Sequence, residues 1–252
     1  MSPWEAVGVF AAGIGAGTIN TVVGSGTLIT FPVLLAVGLP PITANVSNTL
    51  GLVPGSISGA LGYRQELKGQ RDRLLRLGSA SLLGGILGAV LLLVLPSSAF
   101  KAIVPVLIGI ALLLVVLQPR LARFLAARGR GPGAAADGGL ALLLGVFGSG
   151  VYGGYFGAAQ GVLLLGLMGL LLNDDLQRIN AAKNILALIV NGVAAIVFMF
   201  LAPINWTAAL LIAGGAVIGG QIGSRVGRRL PPVALRTVIV LVGLTAMAKL
   251  LL

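Results

Sequence analysis

The sequence predicts an all-α, polytopic integral membrane protein, and three observations carry that reading. The 252 residues are 57% hydrophobic and only 9% charged, more apolar surface than a water-soluble core absorbs. Apolar windows of about 18 to 22 residues, enough to cross a ~30 Å hydrocarbon layer as helix, recur along the chain. They are continuous rather than alternating, which excludes a β-barrel and leaves helices to satisfy the backbone.

The windows fall near 4–23, 42–62, 75–95, 100–118, 138–157, 176–201, 205–224 and 233–252. Two shorter apolar runs, 27–38 and 158–172, follow the first and the fifth. MSPWEAVGVF has no basic n-region and carries Glu5, so the first window reads as a retained span rather than a cleaved signal peptide. Lys and Arg collect in three loops: Arg64 to Arg76, Arg120 to Arg130, and Arg225 to Arg236. The positive-inside rule makes all three cytoplasmic, whereas the first 63 residues, with no Lys or Arg, and the uncharged turns at Pro40-Pro41 and Pro203-Ile204-Asn205 belong outside. The charge of +11 therefore orients helices, and no nucleic acid is expected as partner.

Residues 128–139, RGRGPGAAADGG, read as the one linker, dividing the chain into a first repeat at 1–127 and a second at 140–252. At a shift of 137, Gly17, Asn20 and Gly24 fall on Gly154, Gly157 and Gly161; at 136, Asn48 falls on Asn184. At 135, Gly84, Gly85, Gly88, Leu95, Pro96 and Ala99 fall on Gly219, Gly220, Gly223, Leu230, Pro231 and Ala234. All basic loops lie on one side only if each short run returns the chain to the face it came from. The repeats are then inverted, both termini lie outside, and each half is a long-plus-short hairpin, re-entrant or fully crossing, followed by three full helices. Inverted repeats with interrupted helices are a transporter pattern, with substrate near the midplane. For Gly84, Gly85, Gly88 and their counterparts, close helix packing is the simpler explanation.

Polar side chains held in hydrocarbon are default functional candidates. The substrate-binding candidates are Asn20, Gly24, Ser25, Gly26, Thr27, Ser47 and Asn48 in the first half, and Gln160, Gly161, Asn180, Lys183 and Asn184 in the second. Ser25 or Thr27 is placed to cap the short run that follows, while the glycines let a ligand approach the backbone. Lys183 either snorkels to the cytoplasmic headgroups or, beside Asn180 and Asn184, supplies positive charge for an anion. Asn173-Asp174-Asp175 read as caps of the helix after them. With neither Cys nor His in the chain, disulfides, thiol chemistry, haem and the usual zinc or copper sites are excluded, and no cofactor is expected. No Asp or Glu lies deep in a predicted span, so a carboxylate proton relay is not expected. What remains, neutral donors, helix N-termini and one lysine, suits an anion. An embedded enzyme lacks a base beside its serines other than Lys183, and a receptor-like protein has no need of polar hairpins.

The segment GAGTINTVVGSGTLITFPVLLAVGLPPITANVSN resembles the first repeat of the TauE/SafE sulfite exporter family, also called the TSUP anion permeases. Ala16, Gly17, Ile19, Asn20, Gly24 and Gly26, then Pro32, Leu34, Leu35, Gly38, Pro40, Pro41, Ala44 and Asn45, meet the family pattern, and INAAKNILALIVN at 179–191 is similar in the second half. Ser25, where many relatives have a third glycine, and AAQGV at 158–162 depart from it. The resemblance implies a multi-pass permease of the bacterial inner membrane for sulfite, thiosulfate, organosulfonates or related sulfur oxyanions, often directed outward. An ion-coupled importer of sulfate or sulfonate is the alternative it leaves open.

Overall fold

Helix α1 (Pro3–Val22) starts at a capping box: the Ser2 hydroxyl accepts from the Glu5 N–H at 3.3 Å, and the Glu5 carboxylate accepts from the Ser2 backbone N–H at 2.6 Å. Glycine and proline set most of the following boundaries, as the sequence predicts. Gly24 separates α1 from α2 (Thr27–Ala36), and Gly38 with Pro40 and Pro41 separates α2 from α3 (Pro41–Gly62). Gly69 precedes α4 (Arg71–Val94), and Leu95-Pro96 divides it from α5 (Ser97–Ala127). The second half has α6 (Gly139–Tyr155), α7 (Gln160–Leu171), α8 (Leu176–Leu201) and α9 (Trp206–Val226).

This computed structural model describes residues 1–127, 138–226 and positions 240, 241 and 244, with no strand among the described residues. Nearly all of the linker and of the window at 233–252, and with them Arg228, Arg229, Leu230, Pro231, Ala234, Arg236 and the C-terminus, lie outside the described residues.

Five described helices are long and apolar enough to cross a membrane: α1, α4, the Ser97–Gln118 part of α5, α8, and α9. The protein is therefore a multi-pass membrane protein. Helix α3 has 22 residues but carries the polar run at 43–49, and α6 has 17 residues. The short runs form helices of 10 and 12 residues, about 15 and 18 Å long, roughly half of a hydrocarbon core.

Helix α4 packs on α6 and α8 of the second half, and α9 packs on α1 and α3 of the first. Both contacts are made through glycine, as expected for the small-residue rows. A Cβ on Gly84 would strike the backbone of Phe147 and Gly150, and one on Gly219 that of Ile14 and Thr18. Likewise Gly88 meets Val151 and Tyr155, while Gly223 meets Thr18 and Thr21. Phe31, Phe100, Tyr155 and Phe156 form an aromatic cluster that packs α2, α5 and the α6 terminus together, with ring centroids 5.1 to 6.3 Å apart.

The α3–α4 and α7–α8 loops are tied by ion pairs. Arg73 reaches Asp174 at 2.5 Å and Gln70 at 2.9 Å, while Arg178 reaches Asp174 at 2.9 Å and the Lys68 carbonyl at 3.0 Å. Burial pushes the Asp174 carboxyl up. The Arg73 hydrogen bond, the Asp175 N–H and the charges of Arg73 and Arg178 outweigh burial and hold it below the usual carboxylate range. Of the three predicted caps, Asp175 takes the N-cap position, its carboxylate accepting from the Gln177 N–H at 2.8 Å, and Asp174 serves the ion pairs instead.

Candidate functional site

Helix α1 ends because Gly24 takes φ +85°, a left-handed conformation that glycine adopts without penalty. Helix α6 ends the same way at Gly157, φ +75°, followed by Ala159 at φ +59°. The break in the second hairpin thus falls at Gly157, four residues before the Gly161 that the sequence alignment set opposite Gly24. Gly161 is instead the spatial neighbour of Gly24: its N–H donates to the Gly24 carbonyl at 3.0 Å, and a Cβ on either residue would collide with the other's backbone. The first break thus touches the first turn of α7, which brings the N-terminal ends of α2 and α7 together. Backbone carbonyls of residues 24–26, 157 and 159 accept from the N–H groups of Leu28, Ile29 and Thr30 and of Gln160, Gly161, Val162 and Leu163, so what these two ends offer is the partial positive charge of a helix N-terminus.

Four buried polar side chains brace this junction from α3 and α8. The Asn48 amide donates to Thr27 Oγ1 at 3.1 Å and accepts from the Thr30 hydroxyl, fixing the first turns of α2. The Asn45 amide donates to the Tyr155 carbonyl, at the last turn of α6, at 3.0 Å. Lys183 Nζ donates to the carbonyls of Asn20 and Thr21, both at 3.2 Å, and the Asn184 amide donates to the Thr21 carbonyl at 3.4 Å. Lys183 is fully buried, so it does not reach headgroups, and its alkyl stem lies against Gly161.

The sequence-predicted residues divide into three groups. Asn20, Gly24, Ser25, Gly26, Thr27, Asn48, Gln160, Gly161, Lys183 and Asn184 belong to the two hairpins or to the side chains bonded to them. Ser47 does not: its hydroxyl accepts from the Asn205 N–H at 2.9 Å, on the α8–α9 connection. Asn180, three residues before Lys183 on α8, is buried with its carbonyl oxygen unpartnered. The capping expectation for α2 is corrected, since its N-cap is Gly26, without a side-chain bond, and Thr27 is engaged by Asn48.

That correction leaves Ser25, 1% exposed, with no partner for its hydroxyl, directly before α2. Gln160, the first residue of α7 and 3% exposed, has an unpartnered Nε2. Its side chain packs on Gly153, where a Cβ would occupy the same space. Two buried donors without a protein partner therefore lie beside the two helix N-termini, an arrangement that favours a bound anion. Asn45 and Thr30 complete the bracing, and their polar side chains within apolar runs were the available signal. The Asn20, Thr21 and Tyr155 acceptors are backbone carbonyls, which no side-chain pattern marks.

An apolar cavity of about 340 Å³ lies elsewhere, between α3, α8 and α9, lined by Pro54, Gly192, Met199 and Trp206 among others. Apart from the Trp206 indole, its lining side chains are aliphatic or methionine. Among the described residues no group of three acidic side chains is placed to hold a metal ion.

The model of the sulfite exporter TauE/SafE family matches residues 9–250. The chain is 28% identical over 243 residues to "Probable membrane transporter protein ORF9" of Sinorhizobium sp, covering 96% of this chain and 91% of the relative. It is 27% identical over 239 residues to "Probable membrane transporter protein YfcA" of Escherichia coli K12, covering 94% and 86%. A "Probable membrane transporter protein" of Haemophilus influenzae is 26% identical over 245 residues, covering 96% and 92%. No solved structure matches the chain.

Proposed function

The chain belongs to the sulfite exporter TauE/SafE family and is a membrane transporter, and from that premise we propose that it exports a small sulfur oxyanion such as sulfite, thiosulfate or an organosulfonate. The observation that supports this reading is the pair of buried, unpartnered donors, Ser25 Oγ and Gln160 Nε2, at the junction of the α2 and α7 N-termini. Sulfur oxyanions are compact multi-oxygen acceptors, matched to the Ser25 hydroxyl and the Gln160 amide beside two positively polarised helix ends. Gly24 and Gly161 let the two hairpins meet backbone to backbone, and Gly26 lets the start of α2 lie against Ala16 and Asn20 of α1. Asn48 and Asn184 hold the surrounding turns, Asn180 lies on the same helix three residues before Lys183, and Lys183 adds positive charge beside them.

Alternating access follows from two inverted repeats moving against each other about this junction. The reciprocal packing of α4 on α6 and α8, and of α9 on α1 and α3, supports the repeat assignment. So does the matching of their glycine contacts. With the basic loops facing the cytoplasm of a bacterial inner membrane, the Arg73–Asp174–Arg178 cluster closes the cytoplasmic side. One negative charge leaving an inside-negative cell at 100 mV gains about 2.3 kcal/mol, so export needs no coupling ion.

The test is efflux from proteoliposomes loaded in turn with radiolabelled sulfite, thiosulfate and an alkanesulfonate. Export predicts efflux of at least one of them that accelerates when a potassium–valinomycin potential makes the interior negative, without a proton or sodium gradient. Flux that requires either gradient overturns it in favour of coupled import.

A further inference from the structure

Lys183 is an unusual way to end a helix inside a membrane. Its Nζ lies 3.2 Å from each of the Asn20 and Thr21 carbonyls, and the Asn184 amide shares the latter. These are last-turn acceptors of α1, which finishes at Val22. Last-turn carbonyls have no intrahelical donor and carry the negative end of the helix dipole, so a cation is favoured there. In membrane carriers built on broken helices, such carbonyls are where a sodium ion is held. Here the position is filled covalently, from the facing helix, by a side chain with no solvent exposure. The other break carries no charge at the corresponding place: the Tyr155 carbonyl at the end of α6 receives the neutral Asn45 amide.

We propose that Lys183 is a tethered cation: it occupies a carbonyl-lined ion site at the end of α1, so that the hairpin holds its shape without any dissolved sodium or potassium. The proposal rests on the reading of the two hairpins as the transport site, but it concerns what holds the first hairpin rather than what the site carries. Lys183 is a positioning residue in this role, acting on the anion junction through the backbone of residues 20–24. Truncating it to alanine exposes the carbonyls and leaves a space the size of the lost propylammonium group. A small cation then becomes able to replace it, and a dependence absent from the natural protein appears.

The experiment compares purified full-length wild type with Lys183→Ala by thermal unfolding in detergent, at constant ionic strength. The chloride salts of N-methylglucamine, sodium and methylammonium are each tested. Lys183→Ala is expected to melt lower than wild type in N-methylglucamine, which is too bulky to enter, and to recover in a saturable way with methylammonium or sodium. Wild type is expected to respond to neither. A Lys183→Ala protein as stable as wild type in N-methylglucamine overturns the proposal, as does one that no small cation restores. If Lys183→Ala yields no folded protein, Lys183→Gln and Lys183→Met decide. Gln keeps a donor for the carbonyls and is expected to fold, Met keeps the bulk without a donor and is expected to be the less stable, and equal stability overturns the proposal. Sulfite efflux by Lys183→Ala should recover with the same cation dependence as its melting temperature. A wild type that fails to carry sulfite counts against the transport reading alone, because the melting comparison does not depend on substrate.

Discussion

The two helix breaks at the centre of the molecule solve one problem with different chemistry. Both end a long helix at a left-handed glycine, Gly24 or Gly157, and both need donors for the carbonyls left behind. The first receives an ammonium and an amide from α8, the second a single amide from α3. The second break adds Ala159 at φ +59° and a bond from the Tyr152 hydroxyl to the Ala158 carbonyl. The break of one hairpin is thus held by a charged side chain, that of the other by neutral ones. Their N-terminal ends still meet, at Gly24 and Gly161. The difference teaches that equivalence lies in the backbone geometry, while the charge is placed on one side only.

The largest effect should come from the contact shared by both halves. Gly24→Val places a β-branched residue at positive φ, which costs about 1 to 2 kcal/mol, and drives its side chain into the Gly161 backbone. Loss of folded protein is expected on size-exclusion chromatography. Ala159→Gly is the contrasting change in the other hairpin: it relieves a left-handed alanine and should raise stability by up to about 1 kcal/mol. Equal behaviour of the two variants would break the comparison. Next in size is Asn45→Ala, which leaves the Tyr155 carbonyl without its amide and should destabilise by about 1 to 3 kcal/mol, read from the denaturation midpoint.

The smallest effect is expected far from the junction, at Asp174. Its carboxyl is held below its unfolded value, so the stability it contributes is fully present above the unfolded carboxylate pKa of about 3.9 and is lost as pH falls through the lower folded value. Melting temperature should therefore be insensitive to this group between pH 5 and 7, in the range set by those values, and drop under acid. Asp174→Asn should remove that part of the acid dependence at a cost of roughly 1 kcal/mol or less near neutrality, because the pair is partly solvated. An unchanged acid limb in the variant would assign the acid sensitivity to other groups.

Much of this organisation is legible in the sequence because hydropathy and helix punctuation are local properties. The window at 176–201 coincides with α8, and the short runs at 27–38 and 158–172 contain α2 and α7, bounded by the glycines and prolines that stop helices. The position of the second break was less legible. With 39 glycines, several registers match, and the residue that turns left-handed beside Gly157 is an alanine, which carries no such signal. Lys183 stands out in the sequence as a lysine within an apolar run, but its acceptors are main-chain carbonyls on a helix more than 160 positions away. Ser47 illustrates the converse: a polar residue beside Asn48, turned to a different connection by the 3.6-residue helical period.

The central claim is that Ser25 and Gln160 are donors kept free for an anion rather than for the fold. The most direct measurement is sulfite efflux from proteoliposomes by the Ser25→Ala/Gln160→Leu double variant beside wild type, with melting temperatures recorded on the same preparations. Because neither donor has a partner in the fold, the double variant should melt at or above the wild-type temperature. Each hydrogen bond to a charged acceptor is worth about 1.5 to 3 kcal/mol, so efflux at limiting sulfite should fall on the order of 100-fold or more. Wild-type efflux from an equally stable double variant would contradict the account.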